Sequence, residues 1–189
     1  MTRSSQGIEP PSAPERFTGL FLIGLDMTVL NVALPSLRSE LQPGMAGLQW
    51  VADGYTLTLA CAVLATGTWS DRHGRRRAFL IGMGVCGGAS VVGALAHTMG
   101  QVIAARFAMG LGAALLMPST LSIITVVFTD AVSQRRAIAV WALMAGAGGL
   151  AGPPLGGLLV EHSSWRAGFW INVPIAVCAS FLSCVRGPT

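Results

Sequence analysis

The chain has 189 residues, of which 52% are hydrophobic and only 11% charged, with a mean hydropathy of +0.63. Soluble domains carry about 25% charged residues, and a soluble helical bundle needs a charged outer face, so the supply of charge argues against a water-soluble fold. The net charge of +4 sets twelve arginines, with no lysine, against eight acids; the arginines fall between apolar segments rather than along one helix face, which argues against nucleic acid as a partner.

Residues 1–16, rich in Ser, Pro and Glu, read as a disordered tail. The first apolar run, 17–37, is longer than a signal-peptide core and has no convincing small-residue cleavage site, so it reads as a retained membrane span. Asp26 and Asn31 interrupt it, and Pro35 lies near its end. A loop with Arg38, Glu40 and Pro43-Gly44 leads to the second run, 48–69, which holds Asp53 beside Trp50 and Tyr55. Next comes the densest charge cluster of the chain, Gly67-Thr-Trp-Ser-Asp71-Arg-His-Gly74-Arg75-Arg76-Arg77. It reads as a tight loop, with Gly74 permitting the reversal and Asp71 and Arg75 at a spacing that pairs if the turn is helical. The third run is 78–96, and the fourth, 101–126, is entered through Arg106 and contains Pro118. After a polar loop with Asp130, Arg135 and Arg136 comes the fifth, 137–160, rich in glycine and carrying Pro153-Pro154. The sixth is 168–185, with Asn172 and Pro174 near its start, and 187–189 end the chain.

At about 1.5 Å per residue each run is long enough to cross about 30 Å of hydrocarbon. None shows the ten-residue alternation of a membrane β-barrel. The predicted fold is an all-α membrane protein, a bundle of six transmembrane helices over 17–186. With the N-terminus inside, Arg3, Arg16, Arg72, Arg75, Arg76, Arg77, Arg135, Arg136 and Arg186 are cytoplasmic, against Arg38 and Arg166 outside. This bias predicts a multi-pass protein of the cytoplasmic membrane with both termini cytoplasmic.

Polar groups inside the spans carry the functional argument. An acid at a helix centre costs about 2.5–3.5 kcal/mol to insert, so Asp26 should face the bundle interior or an aqueous cavity, as a site of ion or proton handling or as a hydrogen-bond hub. Asp53 lies near an interface and is a coupling or substrate residue, or a hydrated interfacial acid. Arg106 either snorkels to the membrane surface or turns inward to meet an acid. Gly148, Gly152 and Gly156 recur at four-residue spacing and line one helix face, which permits close packing of membrane helices. Pro153-Pro154 removes two backbone donors beside them and should bend the helix.

No nucleophile–base pair, metal cluster or cofactor motif is evident. His73, His97 and His162 fall in loops or turns, and Cys61, Cys86, Cys178 and Cys184 read as small apolar residues. The chain has no Walker lysine, so an enzyme or nucleotide-driven machine is not expected and energy must come from an ion gradient or a partner.

Several stretches resemble the major facilitator superfamily, and within it the 14-helix drug–proton antiporters of bacterial multidrug efflux. They are Leu25-Asp26-Met-Thr28-Val-Leu-Asn31-Val-Ala-Leu34-Pro35, Gly67-x-x-x-Asp71-Arg-x-Gly74-Arg75-Arg76, Arg106-x-x-x-Gly110-x-Gly112, Gly148-x-x-x-Gly152-Pro153-x-x-Gly156-Gly157 and Trp165-Arg166-x-x-Phe169-x-Ile171-Asn172-Val173-Pro174. The resemblance implies the N-terminal half of a proton-driven exporter of small lipophilic or drug-like molecules, working by alternating access. It implies proton coupling by Asp26 and Arg106, with Asp53 as a further candidate. It also implies a conformational latch of Gly67, Asp71, Gly74, Arg75 and Arg76, and a hinge and seal of Gly148, Gly152, Pro153, Gly156 and Gly157. The implied partners are the lipid bilayer, protons, a small lipophilic substrate, and a C-terminal half or second half-transporter. The alternative is a membrane scaffold, regulator or truncated remnant without transport activity.

Overall fold

In hydrocarbon the backbone finds no water to bond, so apolar runs of this length close their hydrogen bonds internally as helices. The computed structural model describes residues 13–42, 44–127 and 130–185. It is all-α: α1 (Ala13–Leu41), α2 (Met45–His73), α3 (Arg75–Ala94), α4 (Met99–Val127), α5 (Ala131–His162), α6 (Ala167–Trp170) and α7 (Asn172–Val185). The five longer helices are each long and apolar enough to cross a membrane. The sixth predicted run forms α6 and α7 together, interrupted at Ile171 rather than continuous. Pro174 stands in the first turn of α7 and has no N–H to offer the carbonyl four residues back, at Trp170, which favours a break there. The result is a six-element membrane bundle.

The helices run beyond the apolar spans. Residues 1–12 lie outside the described residues, and α1 already begins at Ala13 and continues through Pro35 to Leu41. The basic stretch is the largest departure from the predicted loop. It is helical up to His73 and again from Arg75, so Gly74 alone makes the turn, with φ 100° and ψ 129°. A side chain there would meet nothing within 4 Å, so backbone conformation, not space, demands glycine. His73 and His162 accordingly end α2 and α5 rather than lying in loops. α5 passes through Pro153-Pro154 as one continuous helix. Its start is capped by Asp130, whose carboxylate accepts from the Ser133 backbone N–H at 2.9 Å. That bond holds the Asp130 carboxyl below the usual aspartate range.

α1 packs chiefly on α5, while α4 packs on α2 and α3, and α3 also contacts α7. Small residues set these approaches. A Cβ on Gly148 would stand 2.4 Å from the Phe21 carbonyl, and one on Gly152 1.7 Å from Thr28 Oγ1. A Cβ on Gly110 would likewise stand 2.5 Å from the Tyr55 carbonyl. Inside α4, Pro118 cannot bond the Ala114 carbonyl; Thr66 Oγ1 of α2 donates to it instead, at 2.6 Å. A neighbouring helix thus satisfies the group that the proline frees. Burial is uneven. Some 56% of the apolar window is buried in α1 and in α4, but only 17% in α2 and 11% in α5. The outward faces of α2 and α5 are therefore left for lipid or another protein.

Candidate functional site: a buried acid–arginine–amide cluster

Asp26 sits at mid-length in α1 and Arg106 about two turns into α4, and both point into the bundle. Arg106 Nη1 donates to Asp26 Oδ2 at 2.6 Å, and Nε donates to the Val51 carbonyl of α2 at 3.0 Å. The guanidinium carbon lies 4.5 Å from the centre of the Tyr55 ring, within reach of a cation–π attraction. The second carboxylate oxygen, Asp26 Oδ1, accepts from Asn172 Nδ2 at 2.7 Å. Asp26, Arg106 and Asn172 are 5%, 2% and 1% exposed. Both carboxylate oxygens meet donors, and the arginine has a charged, a carbonyl and an aromatic partner. That is the condition under which a buried ion pair offsets its desolvation. Of the two readings of Arg106, the structure gives the inward one.

The helix break places Asn172. It opens α7 directly after Ile171, and its amide reaches α1 across the bundle. The sequence marks it as a polar residue near the start of the sixth run and as part of the Trp165–Pro174 motif, but not as a partner of Asp26. The signal was the same one that singled out Asp26: a polar side chain in an apolar stretch. Asn31 stays out of the cluster, exposed and bonded to the Met27 carbonyl of its own helix.

Asp53 also stands apart. It is exposed, two residues from the inward-facing Tyr55 and so about 200° round the helix. With Gln49, Trp50 and Thr56 it lines an open recess of about 580 Å³ along α2. At the other end of α2, Arg75 Nη2 meets Asp71 Oδ1 at 3.3 Å, with the side chains 31% and 60% exposed. Arg76 Nη2 donates to the Ser183 carbonyl near the end of α7, at 2.7 Å. Gly67 lies against Pro118. In α5, Gly148, Gly152 and Gly156 face α1, whereas Gly157 meets nothing within 4 Å and Pro153 is exposed.

A second polar cluster joins Trp165 and Arg166 of the Trp165–Pro174 motif to a distant acid that the sequence does not pair with them. Glu40, at the end of α1, accepts from Trp165 Nε1 at 2.7 Å and Arg166 Nη1 at 2.5 Å. Arg166 Nη2 also donates to the Ala96 carbonyl, and its guanidinium covers the Trp165 ring at 4.4 Å. The adjacent Trp165-Arg166 pair is a signal only once its distant acid is known. Among the described residues, no three His, Cys, Asp or Glu side chains are grouped to hold a metal ion.

A multi-pass helical bundle with a buried acid and arginine paired in its apolar interior is the architecture of an integral membrane protein. The sequence pattern of the Major Facilitator Superfamily matches residues 16–188, and the chain belongs to that superfamily. It is similar to the multidrug resistance protein Stp of Mycobacterium tuberculosis, 39% identical over 165 residues, covering 87% of this chain and 31% of Stp. It is 43% identical over 156 residues to the multidrug efflux pump LfrA of Mycolicibacterium smegmatis, covering 82% and 31%. With the cephamycin export protein CmcT of Amycolatopsis lactamdurans it shares 40% identity over 173 residues, covering 90% and 36%. The chain thus spans about a third of the length of these relatives.

Proposed function

We propose that this chain forms the N-terminal half of a proton-coupled exporter of small lipophilic, drug-like molecules, of the 14-helix antiporter type. The observation that carries the reading is the buried cluster of Asp26, Arg106 and Asn172. A carboxylate in an apolar interior that can exchange its arginine for a proton supplies a reversible charge change at a fixed point of the bundle. Protonation of Asp26 would release Arg106 toward the Val51 carbonyl and Tyr55, and deprotonation would recapture it. The helices that carry these residues, α1, α2, α4 and α7, then have two arrangements to choose between.

The remaining assignments follow from this role. Asp53, facing the open recess on α2 beside Trp50, is suited to a second proton or to a cationic substrate. Asp71, Arg75 and Arg76, with Gly67 and Gly74, form the latch at the cytoplasmic end, where Asp71 is exposed enough to exchange partners. Gly148, Gly152 and Gly156, with Pro153 and Gly157, form the hinge and seal at the α1–α5 crossing. Both termini lie in the cytoplasm, on the arginine distribution. The weakly buried faces of α2 and α5 receive a C-terminal half or a second half-transporter.

The test is proton-gradient-dependent efflux of a lipophilic cationic dye from vesicles. It compares residues 1–189 alone, the same chain co-expressed with a C-terminal half of LfrA, and Asp26→Asn in each. Efflux in either arrangement that collapses with the gradient and with Asp26→Asn is expected. Gradient-driven efflux that survives Asp26→Asn contradicts the coupling role, and no efflux in any arrangement favours a non-transporting scaffold.

A further inference from the structure

α1 carries two acids on one face. Asp26 and Glu40 are fourteen residues apart, which at about 100° per residue returns to within about 40° of the same bearing, on the order of 21 Å along the axis. Both accept from the same short piece of chain, Trp165–Asn172. Asp26 takes the Asn172 amide at one end of it, and Glu40 takes Trp165 and Arg166 at the other.

Between those ends the chain has little freedom. The backbone N–H groups from Ala167 to Ile171 each bond a carbonyl three or four residues back, the first at Ser164. The Phe169 ring lies over Gly93 of α3, where a Cβ would stand 2.6 Å from it, and Trp165 meets that ring edge to face at 6.1 Å. Gly168 faces Val29 of α1, about one turn beyond Asp26. Trp165 is fully buried, so its bond to Glu40 has a fixed geometry. Arg166 reaches further, and its second terminal nitrogen donates to the Ala96 carbonyl in the α3–α4 turn at 3.1 Å. The end of α1, the α3–α4 turn and the chain leading into α6 are thus joined at one point.

We propose that Glu40 and Arg166 are positioning residues for the Asp26 site: their clasp holds the Trp165–Asn172 segment in register along α1 and so keeps the Asn172 amide on the Asp26 carboxylate. The inference rests on the proton-coupling reading above and deepens it. A donor bonded to a carboxylate favours the ionised form. Opening the clasp lets the segment shift along α1, weakens that donor and raises the affinity of Asp26 for a proton. The Glu40 and Arg166 side chains are 44% and 26% exposed, so water can replace their bond, which it cannot do at the buried Asp26. The state of the clasp is thereby read at a buried acid.

Charge acting through space is the competing explanation, and it has a different sign. Asp26 faces Arg106 of α4, Tyr55 of α2 and Cys86 of α3, while α5 and α6 meet α1 nearby through Gly148, Gly152 and Gly168. Glu40 faces Arg166, and His97 of the α3–α4 turn also acts on it. If charge alone linked the clasp to Asp26, loss of the Glu40 anion would favour the Asp26 carboxylate and loss of the Arg166 cation would disfavour it. Positioning makes both losses disfavour it.

The test is infrared difference spectroscopy of the 189-residue chain in lipid nanodiscs during a pH titration. Asp26→Asn identifies the Asp26 bands, and Asn172→Leu shows what loss of the amide donor does to them. Glu40→Ala and Arg166→Leu are each expected to raise proton affinity at Asp26 roughly three- to tenfold, about half to one pH unit, and to move its carboxylate stretch toward the Asn172→Leu position. Added to Asn172→Leu, neither should shift the midpoint further. If either variant does not fold, Glu40→Gln and Arg166→Lys, which keep the side-chain volume, should give smaller shifts in the same direction. Opposite shifts from the two positions, shifts undiminished on the Asn172→Leu background, or unchanged Asp26 bands overturn the proposal while leaving proton coupling intact. An Asp26 that stays ionised throughout overturns the coupling reading, and the clasp then stands or falls on the carboxylate stretch alone.

Discussion

The molecule contains two acid–arginine pairs that look alike on paper and differ in every physical respect. Asp26 and Arg106 come from helices 80 residues apart in sequence and are almost wholly buried. Asp71 and Arg75 are four residues apart at the turn between α2 and α3, with Asp71 exposed and Arg75 partly so. The first pair is held by Asn172, the Val51 carbonyl and Tyr55 as well as by its own bond. Removing one member of such a pair leaves a charge in the apolar interior, whereas an exposed pair is screened and easily replaced by water.

The contrast can be broken most sharply at the buried pair. Asp26→Ala should destabilise the chain by about 3–5 kcal/mol, because Arg106 loses its counter-charge, and Asp26→Leu with Arg106→Met should recover much of that loss. Unfolding midpoints in a mild detergent measure both. Asp71→Asn should change the same midpoint by less than about 1 kcal/mol. A large loss there would erase the distinction.

Packing around the two regions sharpens the comparison. Gly152→Leu at the α1–α5 crossing, beside the Asp26 turn, should cost about 1–3 kcal/mol through overpacking against Thr28. Gly157→Leu on the open side of the same helix should stay within about 0.5 kcal/mol. Thr66→Val, which leaves the Ala114 carbonyl without its donor, should cost about 1 kcal/mol.

The smallest expected effect lies at the start of α5, in solvent. The Asp130 carboxyl is held below its usual range by the Ser133 N–H. A depressed folded-state value means that the cap's stabilisation is complete above the ordinary aspartate range and is lost as pH falls through the depressed value. Amide exchange at 131–134 should therefore accelerate on acidification, and Asp130→Ala should remove that pH dependence.

Much of this arrangement was legible in the residues. Six apolar runs, the glycine face at 148, 152 and 156, and the inward demand of Asp26 all follow from what hydrocarbon does to backbone and charge. Asn172 was visible as a polar residue but not as a partner of Asp26, because contacts across 146 residues leave no local pattern. Trp165 and Arg166 stand in a recognisable motif, but their pairing with Glu40 was illegible for the same reason. The tight reversal at Gly74 was legible, but not that α2 and α3 stay helical to within one residue of each other, because the charge density reads as loop. The break at Ile171 was foreshadowed by Pro174, whose consequence depends on where a helix starts.

The central claim is that Asp26 and Arg106 act as one buried unit, unlike Asp71 and Arg75. Two double-mutant cycles for unfolding stability, Asp26→Ala with Arg106→Ala and Asp71→Ala with Arg75→Ala, measure this directly. The account predicts a coupling energy of at least about 2 kcal/mol for the first and below about 1 kcal/mol for the second. Equal coupling energies, or additive effects at Asp26 and Arg106, would contradict it.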